Sequence, residues 1–172
     1  MSKILAGQAL RDNIVSMNLR EELKRPVPFA SLQQETLLNL LRVGDQIANK
    51  ASRLFREHGL TLSRFNVLRS LDLADRPLTC GEIGERMIHV VPAITGLVDQ
   101  LEKHGLVERR RCKRDRRVVY IAITETGHDL CEELREPLDE LELRLMAGMS
   151  DEELRSLVNL LGKVRSSIAA AE

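Results

Sequence analysis

The sequence predicts a mainly α fold that carries one small β-hairpin wing. Three observations predict it. Aliphatic residues recur at spacings of three and four along most of the 172-residue chain, helix-capping signals stand where those runs begin, and in one short stretch the period drops to two. The composition agrees: 43% of residues are apolar, yet only three Phe and one Tyr are aromatic, so the core must be aliphatic. The length fits one domain, or one compact fold with an extension. Apolar content this high excludes a disordered chain. The longest charge-free run, Met87 to Val98, contains His89 and Pro92 and is far shorter than the roughly 18–20 apolar residues of a membrane span. Before Arg11 there are too few apolar residues for a signal h-region. Three cysteines, Cys80, Cys112 and Cys131, form no spaced framework, and an odd count suits a reducing compartment. The expectation is a soluble, cytoplasmic protein.

Residues 1–30 read as an N-terminal arm with at most one loose helix, stopped by Arg25-Pro-Val-Pro28 because the residue before a proline is pushed out of the α region. Ser31 and Gln34 have capping-box spacing and open a long helix through Leu37, Leu40, Leu41, Ile47, Leu54 and Phe55 to Gly59. Thr61 or Ser63 caps a second helix with Phe65, Val67, Leu68 and Leu71 inside. Ala74-Asp-Arg-Pro77 is a turn, and Thr79 with Glu82 forms another capping box over a short helix. Pro92 suits the first turn of the next helix, where its missing N–H costs nothing; that helix runs to His104 and stops at Gly105. Leu106–Arg111 and Arg117–Ile123 then alternate as two strands around a polar tip, Cys112 to Arg116. Thr124 caps a helix that Pro137 should kink or break near residues 133–137. Ser150 with Glu153 opens the last helix.

The net charge of zero hides an asymmetry. Residues 1–60 hold nine Lys/Arg against six Asp/Glu, residues 61–123 twelve against eight, and residues 124–172 five against twelve. The basic excess concentrates at Lys103 to Arg117, with eight cations and only Glu108 and Asp115 opposing them. A charge run in a turn is ordinarily a solvated loop. This one lies in a hairpin directly after a capped two-helix unit, and that order of elements is a winged helix-turn-helix. The helix after Pro92 offers small residues in its first turns, Ala93, Thr95 and Gly96, which let a helix seat deeply in a major groove. The wing supplies Lys113, Arg114, Arg116 and Arg117 for the phosphate backbone or an adjacent narrower groove. The expected partner is double-stranded DNA, with Thr79, Pro92, Gln100 and Lys103 completing the DNA-binding set.

Residues 79–127 resemble the MarR (multiple antibiotic resistance regulator) family of bacterial transcription factors. The resemblance is carried by Thr79-Cys-Gly-Glu-Ile-Gly-Glu-Arg86, Ile94-Thr-Gly-Leu-Val-Asp-Gln-Leu-Glu102, Gly105-Leu-Val-Glu-Arg109, Asp115-Arg-Arg117 and Ile123-Thr-Glu-Thr-Gly127. With the flanking helices it extends over about residues 33–168. It implies a homodimer: residues 31–60 and 124–170 supply dimerisation helices, and residues 61–123 the winged DNA-binding domain. Three long helices with aliphatic stripes also exceed what one winged domain needs to cover its core. The resemblance further implies a ligand-responsive repressor on a pseudo-palindromic operator, with half-sites about 34–36 Å apart. It places Thr95, Ala93 and Gly96 on the groove and Arg116 or Arg117 in the minor groove, with Asp115 orienting a wing arginine through a salt bridge. Many members carry Arg or another long side chain where this chain has Gly96, which shifts specificity toward Gln100, the wing and DNA shape. A small aromatic or anionic effector is implied between the dimer helices and the winged domain, where Arg42, Asp45, Arg64 and Asn66 could line a pocket or equally form surface ion pairs.

Other chemistries find less support. His58, His89, His104, His128 and the cysteines lack metal-ligand spacing, so neither metal nor cofactor is expected. Cys112 stands among five cations, which favours thiol reactivity and makes it a candidate redox switch; redox-sensing members of the family instead carry their thiol near the long first helix. Cys131 falls in an aliphatic stripe and reads as core. No phosphate loop, nucleophile elbow or His–acid pair supports an enzyme. The alternative function is a helical interaction module whose basic hairpin binds an acidic protein or a membrane surface.

Overall fold

The computed structural model describes residues 18–88 and 93–171. Along the chain these form α1 (Leu19–Glu22), α2 (Leu32–Glu57), α3 (Leu62–Ala74), β1 (Leu78–Thr79), α4 (Cys80–Arg86), α5 (Ile94–Lys103), β2 (Val107–Arg111), β3 (Val119–Ile123), α6 (Glu125–Glu133), α7 (Arg135–Leu145) and α8 (Asp151–Ala169). Among the described residues no helix is long and apolar enough to cross a membrane. Most of the expected helix of the arm lies outside the described residues. The described residues divide into two compact units, one within residues 40–140 and the other formed by residues 18–39 with 141–171.

The caps of the first unit follow from local chemistry. The Thr61 hydroxyl, rather than Ser63, accepts the Arg64 N–H and starts α3. That helix ends on Asp75 at φ +50°, a left-handed conformation that a short polar side chain tolerates. After α2, Gly59 takes φ +71° and the Leu60 N–H returns to the Phe55 carbonyl at 2.9 Å, the pattern by which a glycine closes a helix end. Gly105 repeats this after α5, with the Leu106 N–H on the Leu101 carbonyl at 3.0 Å.

Two features differ from the sequence expectation. The fourth helix was expected from Pro92, but α5 begins at Ile94 and the N-cap is Ala93, whose φ of −138° and ψ of 60° are not helical. Pro92 and His89 lie outside the described residues. The hairpin is also part of a larger sheet. β3 pairs antiparallel with β2 (Val107 opposite Ile123, Arg109 opposite Ile121) and, on its other edge, with β1 (Leu78 opposite Ile121, Thr79 opposite Tyr120), giving the order β1-β3-β2. Tyr120 is therefore flanked by Thr79 on one side and Arg110 on the other. A two-residue strand has no periodicity to read; its existence depends on a partner some forty residues downstream.

The core gathers Phe55, Leu68, Leu71, Leu78, Ile83, Val98, Leu101, Val107, Ile121, Cys131 and Leu134, all essentially inaccessible to water. Phe55 and Phe65 stack with centroids 4.1 Å apart, and such a pair adds about 0.5–1.5 kcal/mol beyond its buried area. Phe55, Cys131 and Leu134 belong to helices that the sequence assigned to dimerisation, so these flanking helices also close the winged core. Burial raises the Cys131 thiol pKa to about 11, helped by the nearby Asp72 carboxylate, which makes this cysteine packing rather than chemistry. As expected from Pro137, the helical stretch that opens at Thr124 breaks: α6 stops at Glu133, Leu134 sits buried at the junction, and α7 starts at Arg135 with Pro137 in its first turn.

The entry to α6 explains a motif. The Thr124 hydroxyl donates to the Gly105 carbonyl at 2.7 Å while accepting the Gly127 N–H at 3.1 Å. This draws α6 so close that a Cβ on Gly127 would stand 2.2 Å from the Leu106 carbonyl oxygen and 2.8 Å from Ile123 Cγ1. Only glycine fits there. Farther along, His128 Nδ1 lies 2.6 Å from the largely buried Asp72 carboxylate, and His58 Nδ1 lies 3.3 Å from Glu133, so two of the histidines serve as struts.

In the other unit, Asn18 caps α1 and Leu19 is buried. The Arg25 guanidinium lies 4.7 Å above the Phe29 ring, a cation–π contact. The Gln34 N–H donates to Ser31 Oγ, but the Gln34 side chain reaches the Ala30 N–H instead of closing the box on Ser31. The Ser150–Glu153 box forms in full and starts α8. Leu32 (75% exposed), Val158 (63%) and Ile168 (60%) leave apolar surface in water.

Candidate nucleic-acid interface

The candidate interface comprises α4, α5 and the β2–β3 wing. α4 is fixed by a reciprocal box: the Glu82 N–H donates to Thr79 Oγ1 at 3.2 Å, and the Thr79 N–H donates to Glu82 Oε2 at 2.8 Å. The Thr79 hydroxyl also donates to Glu82 Oε2, so its proton is committed to the cap. Arg76 clamps the other carboxylate oxygen at 2.7 Å. The Thr79 backbone bond, followed by Arg76, holds the Glu82 pKa down from 4.5 to about 2.

On α5, Ala93 and Thr95 are exposed and Gly96 is half-buried, and a Cβ added at Gly96 would touch nothing within 4 Å. Packing therefore does not require glycine at that position. Gln100 and Lys103 are exposed farther along. The inner side of α5 is held by Val98 and Leu101 in the core.

The eight cations of the basic segment fall into two groups. Arg109 bonds Glu102 and, at 2.5 Å, Asp99; burial alone would lower its pKa, but these carboxylate hydrogen bonds outweigh it and raise the pKa. Arg110 Nε donates to Glu108 at 2.7 Å. Arg117 is forked onto Asp115, Nε to Oδ1 and Nη2 to Oδ2 at 3.1 Å each, and this bond holds the Asp115 carboxyl below the usual range. The Arg117 side chain remains 90% exposed. Among the described residues, Lys103, Arg111, Lys113, Arg114 and Arg116 are exposed and form no ion pair. Arg111 was absent from the sequence-derived set; its signal was its place at the last ladder position before the tip. The tip is closed by the Cys112 N–H on the Val118 carbonyl and the Val118 N–H on the Asp115 carbonyl, both 3.0 Å. Cys112 is half-buried at the neck of this turn.

The four candidate effector residues are less closely drawn together. Asp45 accepts from Asn49 one turn along α2, and Arg64 bends back to Thr61 Oγ1. None of the four lines the cavity of about 210 Å³ formed beneath Arg110 by Leu71, Asp72, Asp75, Arg76, Pro77, Ala122, Ile123 and His128.

The architecture has known relatives. The sequence model of the MarR family matches residues 60–119. A MarR transcription factor from Planctomyces limnophilus is 32% identical, with 78% of this chain and 98% of that one aligned at a TM-score of 0.60. The S. aureus MepR–DNA complex is 25% identical, covering 76% of this chain and 96% of that one at a TM-score of 0.69. CouR from Rhodococcus jostii, bound to p-coumaroyl-CoA, is 26% identical over 79% of this chain and 95% of its own, at a TM-score of 0.68. With its winged unit, its capped two-helix entry and an aligned relative above 30% identity, the chain belongs to the MarR family of transcription regulators.

Proposed function

We propose that this regulator is a cytoplasmic, homodimeric, ligand-responsive repressor that binds a pseudo-palindromic operator through α5 and the wing. The observation that carries the DNA assignment is the pairing of two surfaces: the small-residue entry to α5 at Ala93, Thr95 and Gly96, and a wing tip whose Lys113, Arg114 and Arg116 form no ion pair among the described residues. Cations without internal partners are the ones that release counterions on meeting phosphates. Ala93, Thr95, Gly96 and Gln100 would then set sequence preference, with Lys103, Arg117 and the tip setting affinity. The complex of MepR with DNA supports this geometry. The test is fluorescence anisotropy on the DNA upstream of the chain's own reading frame, against a scrambled duplex, across a salt series. Tighter binding to the upstream DNA that falls steeply with salt is expected. Absence of binding at low salt would sink the reading and favour an acidic protein or membrane partner for the hairpin.

The dimer is supported by apolar side chains left in water on the long helices, among them Leu37, Leu41, Leu143 and Leu160. Sedimentation equilibrium should return twice the 19.5 kDa chain mass, and a monomer at micromolar concentration would refute it. CouR with its bound acyl-CoA supports a small organic effector, for which Arg42, Asp45, Arg64 and Asn66 remain the proposed lining. Small aromatic acids should release the operator in the same anisotropy assay, and wild-type release that survives Arg64→Ala would remove that residue from the lining.

A further inference from the structure

α5 presents a carboxylate to the face on which DNA is proposed to lie. Asp99 is four residues after Thr95 and four before Lys103, so the three form one stripe along the helix, and Asp99 is 60% exposed. Glu102, three residues on, adds a second negative charge beside it. Two carboxylates on a helix that must approach phosphates would oppose binding, since like charges brought together at an interface cost several kcal/mol.

One side chain answers both. Arg109 is the central residue of β2 and stands opposite Ile121 in the ladder, so its stem shares the core-facing side of the sheet with Val107 and Ile121. From there the guanidinium reaches Asp99 through Nη2 and Glu102 through Nη1, and the Arg109 N–H donates to Glu102 Oε1 at 3.2 Å. The planar fork spans both acids at once, which an ammonium could not. The same contacts tie the exposed side of α5 to the base of the wing, so the two parts of the interface share one anchor. Arg110 next door points to the opposite face and pairs with Glu108, so the effect belongs to the position and not to the run of arginines.

We infer that Arg109 is a positioning residue for DNA recognition: it neutralises Asp99 and Glu102 on the groove-facing helix and fixes that helix to the wing, without itself touching phosphate. The inference rests on the DNA-binding reading above. The experiment compares the full chain with Arg109→Ala, Arg109→Lys, the triple variant Arg109→Ala/Asp99→Asn/Glu102→Gln, and Lys113→Ala, on operator and scrambled duplexes across salt, with thermal unfolding of each. Arg109→Ala should lose about tenfold or more on the operator and less on the scrambled duplex. Its salt slope should stay that of the wild type, whereas Lys113→Ala should flatten the slope by about one. The triple variant should recover most of the lost affinity, and Arg109→Lys, which keeps the charge, should fall between wild type and Ala. A salt slope flattened in Arg109→Ala, with no recovery in the triple variant, would make Arg109 a phosphate contact and overturn the inference. Equal losses on both duplexes that track a lower melting temperature would reduce it to a structural residue. Wild-type failure on every duplex would instead sink the DNA reading itself, before any variant is compared.

Discussion

The base and the tip of the wing are equally arginine-rich, yet they use the charge in opposite ways. At the base, Arg109 and Arg110 are consumed by Asp99, Glu102 and Glu108. Beyond the last ladder pair, Arg111 with Val119, the chain turns through Lys113, Arg114 and Arg116, which have no ion pair among the described residues. Arg117 stands between the two regimes, forked onto Asp115 but almost wholly in water. A count of cations along the sequence therefore overstates what is available to a partner; the carboxylates within reach decide which remain.

Variants in the core that carries the wing should act on folding, and variants at the tip on binding. The largest effect is expected at Gly127. A Cβ 2.2 Å from the Leu106 carbonyl must move backbone, so Gly127→Ala should cost about 3 kcal/mol or more in chemical denaturation. Ile121→Ala, emptying a fully buried site opposite Arg109 in the ladder, should cost about 2–5 kcal/mol by the same measurement. Denaturation curves unchanged for either would break the distinction. At the tip, Lys113→Ala/Arg114→Ala should leave the melting temperature alone, weaken binding to all duplexes, and flatten the salt slope by about 0.9 per lost phosphate contact. Gly96→Ala tests the helix between them. With nothing within 4 Å to meet the new methyl, the variant should gain about 0.5–1 kcal/mol in stability while its preference among operators shifts.

The smallest effect concerns acid. Because the folded pKa of Glu82 lies below its ordinary value, its contribution is complete above about pH 4.5 and disappears as pH falls through about 2. Glu82→Gln should flatten that part of the stability–pH profile, and an unchanged profile would show that the Thr79 and Arg76 bonds to this carboxylate carry no weight.

What the sequence disclosed about the fold was its local chemistry. The boxes at Thr79–Glu82 and Ser150–Glu153, the glycine stops at Gly59 and Gly105, and the break before Pro137 each depend on residues within one or two turns of each other. What it concealed were pairings across distance. β1 exists only because Leu78 and Thr79 find Ile121 and Tyr120. The partners of Arg109 lie seven and ten residues back, across a helix end and a turn, so nothing in its neighbourhood marks it apart from Arg110 or Arg111. The start of α5 was misplaced because a proline fits ahead of a helix as readily as inside its first turn, and Ala93 offers no capping side chain to mark the boundary.

The position of Tyr120 has a practical consequence. The chain has no tryptophan and one tyrosine, and that residue lies in the middle strand, between Thr79 at the helix-turn-helix entry and Arg110 in the wing. The tyrosine emission of the unlabelled protein thus originates at a single point in each chain, where the entry to α4 meets the wing. Any event that shifts the hairpin against the helical unit is written into that one signal, with no second tyrosine in the flanking helices to add to it.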